Sequence, residues 1–372
     1  MWTLMNLDTF LDSLGFDPIT TLLATFILPV INLLGLLFCA LSFYIFLQRT
    51  FLDPSFFYYR LLCLVNILHL IHNLAHLLLY SPHYFPNMNT YLSSMYQIYS
   101  TFILGLFFHF EGVIQMAILL DRIKLYSPFV KRYFVASPRI VSLTFFLTCF
   151  LIDLPIPFAS RISSIGTYYN NDLKQNETFY YIASSSFSTT SFGRILFAFT
   201  AYFLNIFLTL VVGVGLNIFS VYLYSSYLRQ RKLNIDQTNR ISYNNFSASQ
   251  QASTSREVDI RVLNETIITI PRLNSKQRKE RELEKTMFYM ALTLCLISIL
   301  SRTVILINYI SYVFFSPSFR KSLLIFISNA FMFTIVPTLA IFVFYLFNKM
   351  FRREFHKKFL RRETESTHGS NQ

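Results

Sequence analysis

Seven stretches of the chain are mostly apolar over about 20 residues or more, enough to cross ~30 Å of hydrocarbon as a helix. They are 20–47, 56–80, 95–120, 139–158, 195–226, 286–313 and 321–347. Helices are the expected form because unpaired backbone groups are not tolerated in lipid. The first and fifth runs exceed the minimum, so they are expected to tilt or to project beyond the bilayer. No internal repeat is visible. The long polar interruption is 228–285, where SYNNFSASQQASTSRE is rich in Ser, Asn and Gln and reads as disordered. RLNSKQRKERELEK, which follows, is charged at helical spacing and reads as an extension of the sixth span. Pro337 lies within the seventh span and is expected to kink it. After Asn348, Phe351, Phe355 and Phe359 recur at i, i+4 and i+8 with Arg352 and Arg353 between them, the pattern of an amphipathic helix lying on a membrane surface.

The expected fold is therefore an all-α membrane protein, a seven-transmembrane helix bundle with an amphipathic eighth helix. The chain divides into an N-terminal segment (1–19), spans one to five with their loops (20–227), a largely disordered loop (228–285), spans six and seven (286–347), and the amphipathic helix and tail (348–372).

Composition agrees. The 372 residues are 53% hydrophobic and 14% charged, whereas soluble domains carry about 25% charged residues. A net charge of +13 would suggest nucleic acid in a soluble protein, but no folded-looking polar segment sets basic runs beside stacking aromatics. Nucleic-acid binding is excluded on that ground. No Gly-rich phosphate loop, no zinc-like Cys/His spacing and no hydrolase-like His/Asp/Glu cluster occurs, so no metal, no cofactor and no enzymatic activity are expected. Cys39, Cys63, Cys149 and Cys295 all lie in apolar runs and read as packing residues rather than a disulfide framework. Residues 1–19 lack a basic start and carry Asp8, Asp12 and Asp17, so the first span is expected to direct insertion itself.

The positive charge fixes an orientation. Residues 1–19 and 81–94 contain no Lys or Arg. On the same side the remaining segments hold Arg161, Lys174, Arg194, Arg320 and Lys321, while every other basic residue except Arg302 falls on the opposite side. Cytoplasmic loops carry the excess of Lys and Arg, so the N-terminus is expected outside and the C-terminus in the cytoplasm of a plasma-membrane protein. Part of the charge can lie against anionic membrane lipids. Asn176-Glu177-Thr178 is then a glycosylation sequon on the outer side, whereas those at Asn245 and Asn264 fall inside and are expected to be silent.

Polar residues inside the spans are the candidates for function. Asn66, His69, Asn73 and His76 share one face of the second span. A structural polar seam and a ligand or proton role both fit them. His109, Glu111 and Gln115 lie in the third span, Glu111 about 16 Å along the helix from Arg122. Asp153, before Pro155 and Pro157, is expected to reach interfacial water. Arg302 sits mid-span, too deep to reach the surface, and is expected to face the interior as a partner of a carboxylate or as a ligand contact. Glu111 is the opposite charge with which it would pair.

The third span ends in Asp121-Arg122-Ile123, followed by Tyr126-Ser127-Pro128-Phe129. An apolar helix closed by Asp-Arg, with a Pro in the loop beyond, resembles the third helix of rhodopsin-like G-protein-coupled receptors. The proline-bearing seventh span and its Phe-anchored sequel resemble the end of the same family, and the likeness covers roughly 20–227 and 284–360. It implies that Asp121 restrains Arg122 until activation releases it towards a heterotrimeric G protein. The switch residues implied are Asp121, Arg122, Pro128, Pro337, Phe351, Arg352 and Phe355. The ligand would be an extracellular small molecule or peptide, seated in the outer half of the bundle. His69, Asn73, His76, His109, Glu111, Gln115 and Arg302 are the candidate internal site.

The sequence departs from the family at several points. Ile123 stands in place of its Tyr, and Pro128 falls one residue early. Val336-Pro337-Thr338-Leu339-Ala340 keeps only the Pro of Asn-Pro-x-x-Tyr, and Leu300-Ser301-Arg302 replaces Cys-Trp-x-Pro. The usual outer Cys near Gln97 and the second-span Asp are missing, losses that resemble divergent invertebrate chemoreceptor and orphan receptors. Glu111 stands at the height where the family keeps a polar residue of its sodium pocket. The alternative class is a multi-pass transporter or channel, but the repeated halves and broken helices typical of that class are not seen.

Overall fold

A computed structural model describes residues 26–80, 91–133, 136–170, 175–197, 199, 209–253, 275–314 and 334–360. Within them, α1 is Leu28–Phe46, α2 Phe57–Tyr80, α3 Tyr91–Ile123, α4 Pro128–Tyr133, α5 Pro138–Asp153 and α6 Pro155–Phe158. Strands β1 (Ser160–Asn170) and β2 (Gln175–Ser184) follow, then α7 (Ser186–Thr189), α8 (Ser191–Phe197), α9 (Thr209–Ser253), α10 (Ser275–Phe314), α11 (Val336–Phe347) and α12 (Lys349–Phe355). Among the described residues six helices are long and apolar enough to cross a membrane, and α11 is a shorter apolar helix. The expected starts of the first and seventh spans, 20–25 and 321–333, lie outside the described residues.

The sequence sets these helix ends. Ser137 accepts from the Ile140 N–H at the start of α5, with Pro138 in the first turn, where a missing N–H leaves no bond unmade. At the end of α3, Arg122 in the last turn favours the helix dipole, and the Tyr126 and Ser127 N–H groups fold back onto the Ile123 carbonyl. Ser127 then caps α4 through the Val130 N–H.

α3 is the axis of the bundle, touching α2, α5, α9, α10 and both strands. α1 packs on α2, α11 and α12, and α10 on α3, α9 and α11. Leu106, Phe110, Ile114 and Ile118 of α3 meet Met290 and Leu294 of α10 and Phe344 of α11 in one core. Between helices in lipid, cohesion comes from close packing and not from expulsion of water. Gly35 shows the requirement: a Cβ there would fall on the Thr338 hydroxyl of α11. Leu33 and Leu37 on α1, Leu143, Leu147 and Leu151 on α5, and Ile218 and Tyr222 on α9 face outward, as a lipid-facing belt requires.

Three differences from the sequence reading stand out. The segment 159–194, read as a plain loop, holds an antiparallel hairpin, with Ser160 opposite Ser184, Asn170 opposite Gln175 and an irregularity between Ser164 and Gly166. Tyr180 of β2 packs its ring on Tyr91 at 5.6 Å, tying the hairpin to the start of α3. The segment from 228 to 253, read as the start of a disordered loop, continues α9 as helix. No Pro occurs in Thr209–Ser253 and no Gly after Gly215, so nothing breaks the ladder there. Finally, the three phenylalanines of the eighth helix do not share one lipid-facing role. Phe351 is fully buried against Phe46 and Phe344, Phe355 is half-buried on Tyr345, and Phe359 is exposed. α12 passes into a π-helical turn at His356–Leu360, where Phe359 packs on Phe355 and on Tyr44 of α1.

Candidate functional site

The sequence candidates fall into two regions along α3. The first is at its Arg122 end. Arg122 is buried, with Nη2 3.4 Å from Asp121 Oδ2, while Lys124 approaches the other oxygen of Asp121 at 3.4 Å. The Arg122 guanidinium also lies over the Tyr59 ring of α2, 5.8 Å from its centroid. Ile123 is fully buried. Pro128 is exposed at the first position of α4.

Just beyond Arg122, Tyr126 packs on Tyr224 and Tyr227 of α9, each at 5.1 Å, and on Phe288 of α10 at 5.9 Å. Tyr224 and Phe288 stack at 4.2 Å. This aromatic clasp joins α3, α9 and α10. Burial, followed by the neighbouring Tyr224, pushes the Tyr126 phenol up, so it stays protonated at neutral pH. A second aromatic group, Phe46, Phe51, Tyr59, Phe344 and Phe351, holds α1, α2, α11 and α12 together. Asn348 caps α12 by accepting from the Phe351 N–H at 3.0 Å, and Lys349 bridges to Glu282 of α10 at 3.1 Å. Asn348 was legible as a cap, being an Asn three residues before the first anchor of an amphipathic run.

The second region is a polar layer buried within the bundle. His69 Nδ1 stands 3.7 Å from Glu111 Oε2, and Gln115 donates to Glu111 Oε1 at 3.0 Å. On the other side of α3, His109 Nδ1 meets Asp153 Oδ2 at 2.7 Å. Asp153 is buried and paired and does not reach interfacial water, contrary to the sequence reading. Sequence spacing could not reveal this, because the two residues sit on different helices.

Arg302 lies between these pairs and is buried. Its Nη2 donates to the Phe108 carbonyl at 3.3 Å, and its guanidinium covers the Phe108 ring at 4.5 Å. Gly112 makes room for it, since a Cβ there would collide with the guanidinium. No direct Glu111–Arg302 ion pair forms among the described residues.

The remaining candidates tie helices together. Asn73 donates to Thr334 at 3.2 Å, and His76 bonds to Ser100 at 2.6 Å. The Pro337 carbonyl accepts from Asn66 at 3.4 Å and from the Cys39 thiol at 3.5 Å. Thr334 and Ile335, three and two residues before Pro337, are wound as π-helix, one of the irregularities that accompany helix kinks. The four cysteines are free and buried. Asn176 lies in β2, opposite Tyr169, at the end of the bundle away from Arg122.

No protein-family model matches the chain, and no curated protein matches it in sequence. Among solved structures its fold is similar to that of squid rhodopsin, with a TM-score of 0.51 and 14% identity, over 92% of this chain and 82% of that one. At that identity the likeness is one of fold. This all-α, multi-pass membrane protein has the rhodopsin-type seven-helix arrangement.

Proposed function

We propose that this chain is a G-protein-coupled receptor of the rhodopsin-like class. It lies in the plasma membrane with its N-terminus outside, binds an extracellular small molecule or peptide, and couples to a heterotrimeric G protein. The observation that carries this reading is Arg122: a buried guanidinium at the end of the axial helix, held by the adjacent Asp121 at 3.4 Å. Such a pair sits where water can reach it once the helix ends part, so its charge can be exchanged between Asp121 and a partner. The Tyr126 clasp keeps α3, α9 and α10 together at that end. In this mechanism, ligand binding favours a bundle in which α10 moves away from α3, the clasp opens and Arg122 faces the G protein. The ligand shifts the balance only by its differential affinity for the two arrangements. His109, Glu111 and Arg302 form the polar floor beneath the ligand, with His69 and Gln115 holding Glu111.

The test needs no known ligand. Asp121→Asn removes the restraint on Arg122 and is expected to raise ligand-independent nucleotide exchange on at least one member of a panel of G-protein α subunits. Adding Arg122→Ala is expected to abolish that gain at equal surface expression. Unchanged exchange across the whole panel would contradict the reading. Orientation has its own test. Asn176→Gln is expected to remove the N-glycan mobility shift that Asn245→Gln and Asn264→Gln leave in place; a shift lost at either of those two would reverse the topology.

A further inference from the structure

At the Arg122 end, α10, α11 and α12 enclose a cleft of about 330 Å³. Its polar rim carries Lys285 and Thr286 of α10 and Lys349 and Arg352 of α12, with Glu282 beside them. Its wall is Tyr289 of α10 with Leu346 and Phe347 of α11. On α10, Tyr289, Leu296 and Leu300 form an exposed stripe, while Met287, Met290, Ala291 and Leu294 are buried on the other face. On α11, Phe342 and Leu346 are exposed too, Leu346 by 63%, and Leu346 lines the cleft with Tyr289. One mouth of the cleft therefore lies at the membrane–water boundary, with apolar surface on the lipid side and positive charge on the aqueous side.

The charges are unequal. Glu282 is matched by Lys349 at 3.1 Å. Lys285 lies over the Tyr289 ring at 5.9 Å, and Arg352 makes no ion pair among the described residues. Two positive charges are thus left over around a space large enough for a head group. A phosphomonoester carries a charge of about −1.5 to −2 at neutral pH, and a guanidinium binds its oxygens in bidentate fashion. A phosphodiester head group such as phosphatidylserine brings less charge to the same place. The apolar wall matches the acyl chains that accompany such a head group, a feature that neither free phosphate nor a phosphorylated peptide would use.

We propose that this cleft is a binding site for a membrane phospholipid bearing a phosphomonoester, such as a phosphatidylinositol phosphate. Lys285 and Arg352 contact the phosphate, while Tyr289, Leu346 and Phe347 line the acyl chains. Its assignment to the inner leaflet rests on the orientation proposed above; the binding itself does not.

The test uses the full chain in nanodiscs with the probe lipid in both leaflets, so that it is independent of topology. Phosphatidylinositol 4-phosphate is the probe, phosphatidylserine the charge control, inorganic phosphate the competitor, and native mass spectrometry counts bound lipid. The phosphatidylinositol phosphate is expected to bind at least about tenfold more tightly than phosphatidylserine, and Lys285→Gln/Arg352→Gln to remove about tenfold or more of that affinity. A control variant, Arg353→Gln/Lys357→Gln/Lys358→Gln, alters basic residues outside the cleft and is expected to leave the preference intact. All substituted positions are exposed or half-buried, and unchanged melting temperatures will show that the variants fold. Equal binding of the two lipids, an equal loss in the control variant, or full displacement by inorganic phosphate at matched concentration would each overturn the proposal. So would retention of the lipid by the cleft variant, or preferential capture of a phosphopeptide from this chain's own 228–285 segment.

Discussion

Arg122 and Arg302 are both buried guanidiniums, yet they sit in unlike surroundings. Arg122 has a carboxylate at 3.4 Å on the neighbouring residue and lies at the end of its helix. Arg302 has a backbone carbonyl, an aromatic face and no carboxylate within 4 Å among the described residues. The nearby carboxylates are engaged elsewhere, Glu111 with His69 and Gln115 and Asp153 with His109. A charge at the boundary can change partners because water is close. A charge at mid-membrane depth has no such reservoir and is held in one geometry by its neighbours. The proposed function rests on this contrast, with a switch at the first region and, at the second, architecture and the floor of a ligand site.

The largest effect is expected at Arg302. Arg302→Ala removes the hydrogen bond to the Phe108 carbonyl and empties a buried space the size of a large core side chain, and should cost about 3–5 kcal/mol, read as a fall in melting temperature in detergent. Arg122→Ala, whose partner Asp121 keeps Lys124 as a second cation, should cost less, about 1–3 kcal/mol. Equal losses at both sites would erase the distinction between the regions.

Next is the layer's internal wiring. A double-mutant cycle on His69→Ala and Glu111→Ala should give a coupling of about 1–3 kcal/mol. The cycle on Glu111→Ala and Arg302→Ala should give less, because their contact is indirect. The reverse order would restore Arg302 as the direct partner of Glu111.

The clasp comes third. Tyr126→Ala removes contacts with three rings, each aromatic pair being worth about 0.5–1.5 kcal/mol. Its signature is not the stability loss but a rise in ligand-independent nucleotide exchange as α10 is freed from α3. A stability loss with no rise would make the clasp a packing feature only. Smallest is the surface bridge: Lys349→Ala should change stability by about 1 kcal/mol or less, since exposed ion pairs contribute little.

Much of this contrast was legible in the sequence. Apolar length alone exposed the spans, because lipid imposes a minimum. Asp121-Arg122 was visible because both members are local, and Glu111 and Arg302 stood out as charges in apolar runs. Partnership across helices was not legible. Nothing in the spacing of His109 and Asp153, or of Tyr126 and Phe288, indicates that they meet. Gly112 reads as an ordinary small residue until the guanidinium above it is seen. The β1–β2 hairpin was missed because its polar alternation sits in a segment set aside as a loop. Phe351 was misassigned because i, i+4 spacing shows which residues share a face but not what covers that face.

The central claim, that the Arg122 end opens to engage a G protein, is tested most directly by a distance. The four native cysteines are buried, so spin labels can be placed at Leu125→Cys beyond α3 and Lys285→Cys on α10, both exposed positions. The account predicts that adding nucleotide-free G protein to the labelled Asp121→Asn protein forms a complex and lengthens the 125–285 distance, and that Arg122→Ala prevents both. A complex with an unchanged distance, or no complex with any G protein of the panel, would contradict it.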